Sequence, residues 1–499
     1  MRVAESQLVA SLPAAPPPAS WHAATQRRVA IVVAVAAVLA SLLGAGLVIS
    51  LQLVSLAVIG AWIALIAIAS QPRLGLLVVV ALVLLLEAGG PDPLMSPGAY
   101  LYGGFSSTLG LSEAIVSPLE ILLGLTFLSW FAQGIARRRL RWRGGALAKP
   151  VVVFALALLL GLARGAIDNG DLNVALWELR YLAGMLIAYC LAANTLRTRA
   201  HLATLVALIL FAVGAFAIEG AYRRFALINT GLLGVSQELQ FAHEDVIFLA
   251  VGVILVVLQQ SFGAPRWLRA LGLALAPAMV FTMLATQRRA GFVALALAIA
   301  VLVVVLFASR PRLSLMLVPA LAAGAAGYLA LFWGEPGLLG QPARAIRSLF
   351  EPDARDAASN FYRYLEAFNI RATIAQDPLF GVGFGRPFLF AVGLPDLSWW
   401  PFWHFEPHNS VLWVWLKTGV FGFIAFLALC GTAIGRGVDL ARRRGARDVR
   451  LLAALAVSAT VMVLVYSYVD LGLVSVRVMV FFGAVLGAFS VADRTEEPS

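Results

Sequence analysis

Lysine is nearly missing from this sequence: it stands only at Lys149 and Lys417, although lysine and arginine together number 37 against 26 acidic residues. The net charge of +11 is therefore carried by arginine, most of it in short breaks between apolar runs. That distribution reads as membrane topology and argues against a nucleic-acid partner. Charge of either sign is scarce, at 13% of residues against 61% hydrophobic, with a mean hydropathy of +0.90. These values exclude an ordinary soluble domain. The two cysteines, Cys190 and Cys430, lie inside apolar runs, so they read as small core residues and imply no disulfide or metal framework. No apolar h-region or cleavage site precedes the first long span, and the Ala/Pro-rich residues 1–28 read as a flexible cytoplasmic tail rather than a removable signal peptide.

What the chain has is apolar length. A spanning helix takes roughly 20 apolar residues, so the runs predict an all-α polytopic integral membrane protein of about 12–14 transmembrane helices. Spans are expected near 29–47, 49–69, 74–88, 114–135, 150–166, 173–193, 202–222, 243–260, 268–286, 290–308, 313–333, 409–432, 451–469 and 473–491. The expected plan is a tail at 1–28, about eleven spans over 29–333, a long loop with short helices at 334–408, about three spans over 409–491 and a cytoplasmic tail at 492–499.

Orientation follows from the arginines. With a cytoplasmic N-terminus, the inside breaks carry Arg27/Arg28, Arg73, Arg137–Arg143, Arg197/Arg199, Arg266/Arg269, Arg310/Arg312, Arg442–Arg450 and Arg494, whereas Gly89–Ser112 on the other side has none. Both termini are then inside, the loop Gly334–Pro407 is outside, and His408 stands at the outer mouth of its helix. The exceptions are informative. Arg164, Arg180, Arg223/Arg224, Arg288/Arg289 and Arg363 fall at or near the outer face. Arg180 lies deepest, where an ionisable group is a functional candidate unless it pairs with Glu178 or snorkels. Clustered guanidinium groups match phosphate oxygens and stay charged, which suggests a polyanionic ligand.

An outer-face transferase has no ATP or nucleotide sugar, so its donor arrives already activated, and a lipid-linked diphosphate is the natural class. The arginines would hold the diphosphate, and a neutral imidazole at His408 would take the proton of an acceptor hydroxyl. Two other readings of "HFEPHNS" stand beside this one. Asn409 and Ser410 suit a helix start, and His404, Glu406 and His408 share a face if the stretch is extended, as a metal site would require. "HED", His243–Asp245, reads as an acidic cluster or a helix cap. "PLFGVGFG", Pro378–Gly385, fails the nucleotide pattern, and its Gly381, Gly383 and Gly385 read as a tight turn after a loop helix near 358–376. That helix is expected to rest Phe361, Leu365, Phe368 and Ile374 on the membrane domain.

Three ordered strings carry a resemblance. "HNSVLWVWLKTGVFG" resembles the signature of the O-antigen ligase and polymerase superfamily, a histidine with Asn or Ser followed by G-x-x-G, here His408, Asn409, Gly419 and Gly422. "LATQRRAGFVAL" resembles its T-x-S-R-G block with Arg289 on the arginine, and "RYLEAFNIRATIAQDPLFGVGFG" its R-x(14)-P-L-x-G-x-G-x-G block with Arg363 and Pro378 in register. The resemblance implies a GT-C-like, metal-independent glycosyltransferase of the bacterial inner membrane, without cofactor, taking its donor from undecaprenyl-diphosphate-linked glycans at the periplasmic face. His408 would activate the acceptor, Arg289 would clamp the diphosphate, and Arg180, Arg223, Arg224, Arg288, Arg363, Asn409 and His404 would support binding. The acceptor would be a lipid A core, a second lipid-linked glycan or a protein hydroxyl. Arg288 departs from the family's serine, and Lys417 stands where an acidic residue is common. Nine positions, about 900° of helix, separate Lys417 from His408, so it is expected on the opposite face with a separate partner or a structural role. A lipid-linked glycan flippase or other polytopic transporter is the competing class; it would show repeated halves and charges near the midplane, and no internal repeat is evident.

Overall fold

A computed structural model describes residues 67–68, 70–87, 98–103, 116–138, 142–228, 242–309, 311–398, 400–443 and 445–494. The chain divides into two units, Met1–Ser70 and Gln71–Ser499. The tail expected at 1–28, the span at 29–47 and nearly all of that at 49–69 lie outside the described residues. In the second unit the described residues form helices and no strand. In chain order these are α1 (Pro72–Leu85), α2 (Gly98–Tyr102), α3 (Pro118–Ala136), α4 (Ala148–Ile167), α5 (Leu172–Thr195), α6 (Arg199–Tyr222) and α7 (Asp245–Phe262). They continue as α8 (Arg266–Ala285), α9 (Arg289–Ser309), α10 (Pro311–Phe332), α11 (Gln341–Arg347), α12 (Ala354–Gln376), α13 (Ser410–Arg442), α14 (Arg447–Val469) and α15 (Val476–Ser490). Ten of the described helical stretches are long and apolar enough to cross a membrane. The chain is an all-α polytopic membrane protein.

Local chemistry sets the helix starts. Ser117 and Glu120 form a reciprocal capping box ahead of Pro118 in α3, Asp171 accepts from Asn173 and Val174 at the start of α5, and Asn409 Oδ1 accepts from Leu412 N at 3.0 Å at the start of α13. Packing then orders the bundle. α15 is its axis, with 94% of its spanning window buried. Gly483 and Gly487, four apart, let it approach α5 so closely that a Cβ would stand 2.1 Å from Met185 O and 2.3 Å from Tyr189 O. Around this pair, α13 packs on α14 and α4, α9 on α14, and α8 on α6 and α7. The outward surfaces of α4, α9 and α10 keep large apolar side chains exposed, as lipid-facing helices do.

One end of the bundle gathers the start of α13, the corner between α14 and α15, and the start of α9, tied together through Ser410 and Asp470, Arg363 and Asp470, and Arg289 and Asp356. α12 is attached at this end, called here the loop end. α13, 33 residues long and broken at Gly419 (φ 66°), extends beyond the span expected at 409–432. α12 begins at Ala354, and of the residues expected on its buried face only Ile374 is buried. Phe361 and Phe368 are exposed and Leu365 is half-buried, while Asp356, Glu366, Asn369, Ile370 and Thr373 turn inward with Ile374.

Candidate active site

α12 brings a carboxylate to His408. Glu366, almost fully buried, accepts the backbone N–H of His408 at 2.9 Å and lies 3.2 Å from its ring Nδ1. The edge of Tyr362, one helical turn before Glu366, meets the imidazole with ring centroids 5.5 Å apart. Burial, then the adjacent Glu366 carboxylate, push the Tyr362 phenol well above its ordinary range. A carboxylate on Nδ1 fixes the tautomer with Nδ1–H donating, which leaves Nε2 as the basic nitrogen. Asn409 and Ser410 do cap and tether the next helix. Ser410 Oγ lies 3.1 Å from Ser467 O and 3.0 Å from Asp470 O, which fixes the mouth of α13 to the α14–α15 corner.

Asp470 at that corner is a hub. Its carboxylate lies 3.6 Å from Arg363 Nη2 and 3.6 Å from His243 Nδ1. Burial alone would raise its pKa, but the hydrogen bond and charge of His243, with the charges of Arg363 and His408, hold it well below the usual carboxylate range. Arg363, His243 and Asp470 thus form a second wall beside His408. Neither Glu366 nor Asp470 was singled out from the sequence. The one available signal was the register of α12, where Arg363 and Glu366, three apart, share a face.

Arg289 is the first residue of α9, placed by Gln287 in the left-handed region (φ 54°) and by Thr286 Oγ1, which accepts from Arg288 N at 3.4 Å. Its guanidinium donates to Ser348 Oγ at 3.0 Å and Asn360 Oδ1 at 3.3 Å, and lies 3.4 Å from Asp356 Oδ1. Arg288 beside it is half-buried. The same helix α12 therefore holds both groups: Arg289 through Asp356 and Asn360, and His408 through Glu366, ten residues or about 15 Å along its axis from Asp356.

Other expected site residues are held elsewhere. Arg180 pairs with Glu120 at 2.6 Å, donates to Tyr102 O at 3.2 Å and lies 4.1 Å over the Trp177 ring. Its pairing with Glu178 does not form, because residues two apart on a helix point about 200° away from each other. Arg223, buried, is clamped by Glu87 at 2.6 Å and Glu219 at 2.5 Å, and Arg224 is buried beside it. A further buried cation, Arg477, pairs with Asp245 at 2.5 Å and donates to Val83 O. Asp245 thereby joins α7 to α15, while His243 of the same string turns to Asp470. His404 does not share a face with His408. Residues 401–405 form turns, with Phe405 N and Glu406 N both donating to Phe402 O, so the extended geometry fails. His404 packs between Trp403 and Phe390, with ring centroids at 4.0 and 4.7 Å. Burial lowers its pKa, while Glu406 is buried near Tyr181 and Glu178. Among the described residues no His, Cys, Asp and Glu side chains gather into a metal-binding group.

Lys417 finds its partner in Glu178, at 2.7 Å, both side chains fully buried. It also donates to Arg386 O at 2.5 Å, while Glu178 accepts Gly385 N at 2.6 Å and Trp413 Nε1 at 3.3 Å. The glycine blocks interlock at this point. Gly419, with φ 66°, breaks α13, and Leu416 O, whose helical donor would be Val420 N, accepts Val382 N at 2.8 Å instead. The freed Val420 N donates to Pro378 O at 3.0 Å. Gly381, Gly383 and Gly385 all have positive φ, and a Cβ there would strike the backbone of Leu416, Gly165 and Asp171 respectively. Gly422 packs on Thr418, where a Cβ would stand 2.0 Å from Oγ1.

The fold and site define a polytopic membrane protein whose loop helix sets a carboxylate-held histidine and a helix-start arginine on one face. Residues 271–427 match the family described as O-antigen ligase. That segment, less than half of the chain, contains Arg289, α12, His408 and the interlocking glycines, and the match supports a relation to the O-antigen ligase and polymerase superfamily. No curated protein matches the chain significantly.

Proposed function

We propose that the protein transfers a glycan from an undecaprenyl-diphosphate carrier to an acceptor hydroxyl at the periplasmic face of a bacterial inner membrane. The observation that carries this reading is the pinning of His408 by Glu366 through both backbone and ring. Among the described residues Nε2 of His408 has no hydrogen-bond partner, so it is available to an acceptor O–H. As the acceptor oxygen attacks the anomeric carbon, its proton passes to Nε2, the bond from that carbon to the diphosphate oxygen breaks, and the diphosphate leaves with the electron pair. The guanidinium groups of Arg289 and Arg363 stabilise that departing charge, and Glu366 stabilises the imidazolium. No metal or cofactor enters the scheme. The arginine-rich breaks at the other end of the bundle support a periplasmic loop end.

A lipid-linked glycan flippase draws support from one feature, the discontinuous α13. Its broken backbone groups are, however, consumed by the glycine loop. In vitro transfer from undecaprenyl-diphosphate-linked glycan separates the two readings, with lipid A core or a second donor as acceptor and EDTA present. Turnover by wild type and its loss in His408→Ala and Arg289→Ala are expected, and the productive acceptor distinguishes ligase from polymerase. Transport of the donor without transfer would overturn the enzyme reading.

A further inference from the structure

α12 turns an aromatic stripe outward, against the sense expected for a loop helix in water. Four polar residues, Asp356, Glu366, Asn369 and Thr373, are buried against the site beside Ile370 and Ile374. Its outward face carries Phe361, Tyr364 and Phe368, exposed at 61%, 63% and 46%. Three aromatics along two turns form one stripe, and a soluble surface of this kind would be an unusual liability.

The stripe does not stop at the helix end. It continues through Ala375 to Leu379 and Phe380, also exposed, and the Phe380 ring lies 6.4 Å from that of Phe421 on α13. Phe421 stands eleven residues, about 16 Å, along α13 from its first residue, and with exposed Ile424 it belongs to the outward surface of a spanning helix. Phe380 is therefore at bilayer depth. At the other end of α12, Leu349 and Phe350 are exposed, and neighbouring Arg347 donates to Trp333 O at the end of α10. Both ends of the stripe thus run into membrane-facing surface.

We propose that α12 is an interfacial helix whose Phe361, Tyr364 and Phe368 are bedded in the lipid of the loop-end leaflet. The bilayer then covers the helix from outside while its polar face holds Arg289 and His408 at headgroup depth. Aromatic side chains favour that zone. Arg371, at the margin of the stripe, can reach lipid phosphates while its stem stays apolar. The occupant is a lipid surface, argued from the continuity of the stripe with a spanning helix.

The test uses variants with one added cysteine, Phe361→Cys, Tyr364→Cys and Phe368→Cys, carrying a nitroxide, in full-length protein reconstituted in phosphatidylethanolamine/phosphatidylglycerol vesicles. The native Cys190 and Cys430 are buried, so wild type is the labelling blank. Phe421→Cys serves as the lipid reference and Asp396→Cys, in the exposed loop, as the water reference. The expected result is a collision ratio of oxygen to a water-soluble nickel chelate several-fold above that of Asp396→Cys at all three positions, and below that of the deeper Phe421→Cys. Nickel accessibility equal to Asp396→Cys would overturn the proposal. So would exclusion of both reagents, which with spin–spin broadening would indicate a second copy on this face. Three positions read independently guard against one misfolded variant. Because the readout is accessibility, a failure here is distinct from a failure of the transfer reading.

Discussion

Glu366 grips His408 twice, by its backbone N–H at 2.9 Å and by ring Nδ1 at 3.2 Å, across a sequence separation of 42 residues. The carboxylate therefore fixes both the position of the ring and its tautomer. His408→Ala is expected to lower transfer roughly 10²- to 10⁴-fold, the range for a lost general base. Glu366→Gln retains an oxygen for the backbone N–H but loses the charge that stabilises an imidazolium. It is expected to lower the turnover number by roughly tenfold to a hundredfold with little change in donor KM. Unchanged turnover in Glu366→Gln would remove Glu366 from the mechanism.

Lys417 and Glu178 are a buried ion pair at 2.7 Å, with Gly385 N and Trp413 Nε1 also on the carboxylate. Removing one charge strands the other, at a cost of about 3–5 kcal/mol. Lys417→Met and Glu178→Gln should each lower the thermal midpoint in detergent, while the double variant should be more stable than the sum of the two losses implies. Strict additivity would contradict the coupling.

The all-α polytopic architecture was legible because helix length and apolar runs are local properties of the chain. The partners were not. Lys417 could be placed opposite His408 by rotation, but Glu178 lies on another helix, and nothing in the sequence ties Arg363 to Asp470 or Arg180 to Glu120. The face of α12 was read rightly at Ile374 and misread at Phe361 and Phe368, for a physical reason. An apolar stripe is buried against protein when water lies outside, whereas at a bilayer surface the same stripe can turn outward and leave Asp356 and Glu366 to the interior. His404 was misplaced because the turns at 401–405 destroy the alternation of an extended strand.

Glu406 supplies a pH dependence. Burial, then the like charge of Glu178, raise its pKa well above the ordinary carboxylate value. A carboxyl that binds its proton more tightly when folded contributes stability that is complete below its unfolded pKa, about 4.3, and is lost as pH rises through the folded value. The corner two residues before His408 should therefore weaken as pH rises above about 4.3. Glu406→Gln, which cannot ionise, should flatten that fall in thermal midpoint. An identical pH profile in wild type and variant would rule this group out.

Gly419 offers the sharpest test of the interlocked glycines, because α13 contains its own control. At Gly419 φ is 66° and a Cβ would stand 2.0 Å from Leu379 O; at Gly431, on the same helix, nothing lies within 4 Å. Left-handed backbone costs a non-glycine residue about 1–2 kcal/mol, and the clash must also push the 378–385 loop away from the break. Leu416 O and Val420 N would then lose Val382 N and Pro378 O together, and unmet backbone groups at bilayer depth are costly. Gly419→Ala is expected to lower the thermal midpoint and to reduce transfer, although it stands eleven residues from His408. Gly431→Ala, a helix-interior glycine with open space, is expected to gain about 0.5–1 kcal/mol. Equal behaviour of the two variants would mean that the loop does not depend on the break, and that the glycines of the two motifs are conformational neighbours rather than one interlocked unit.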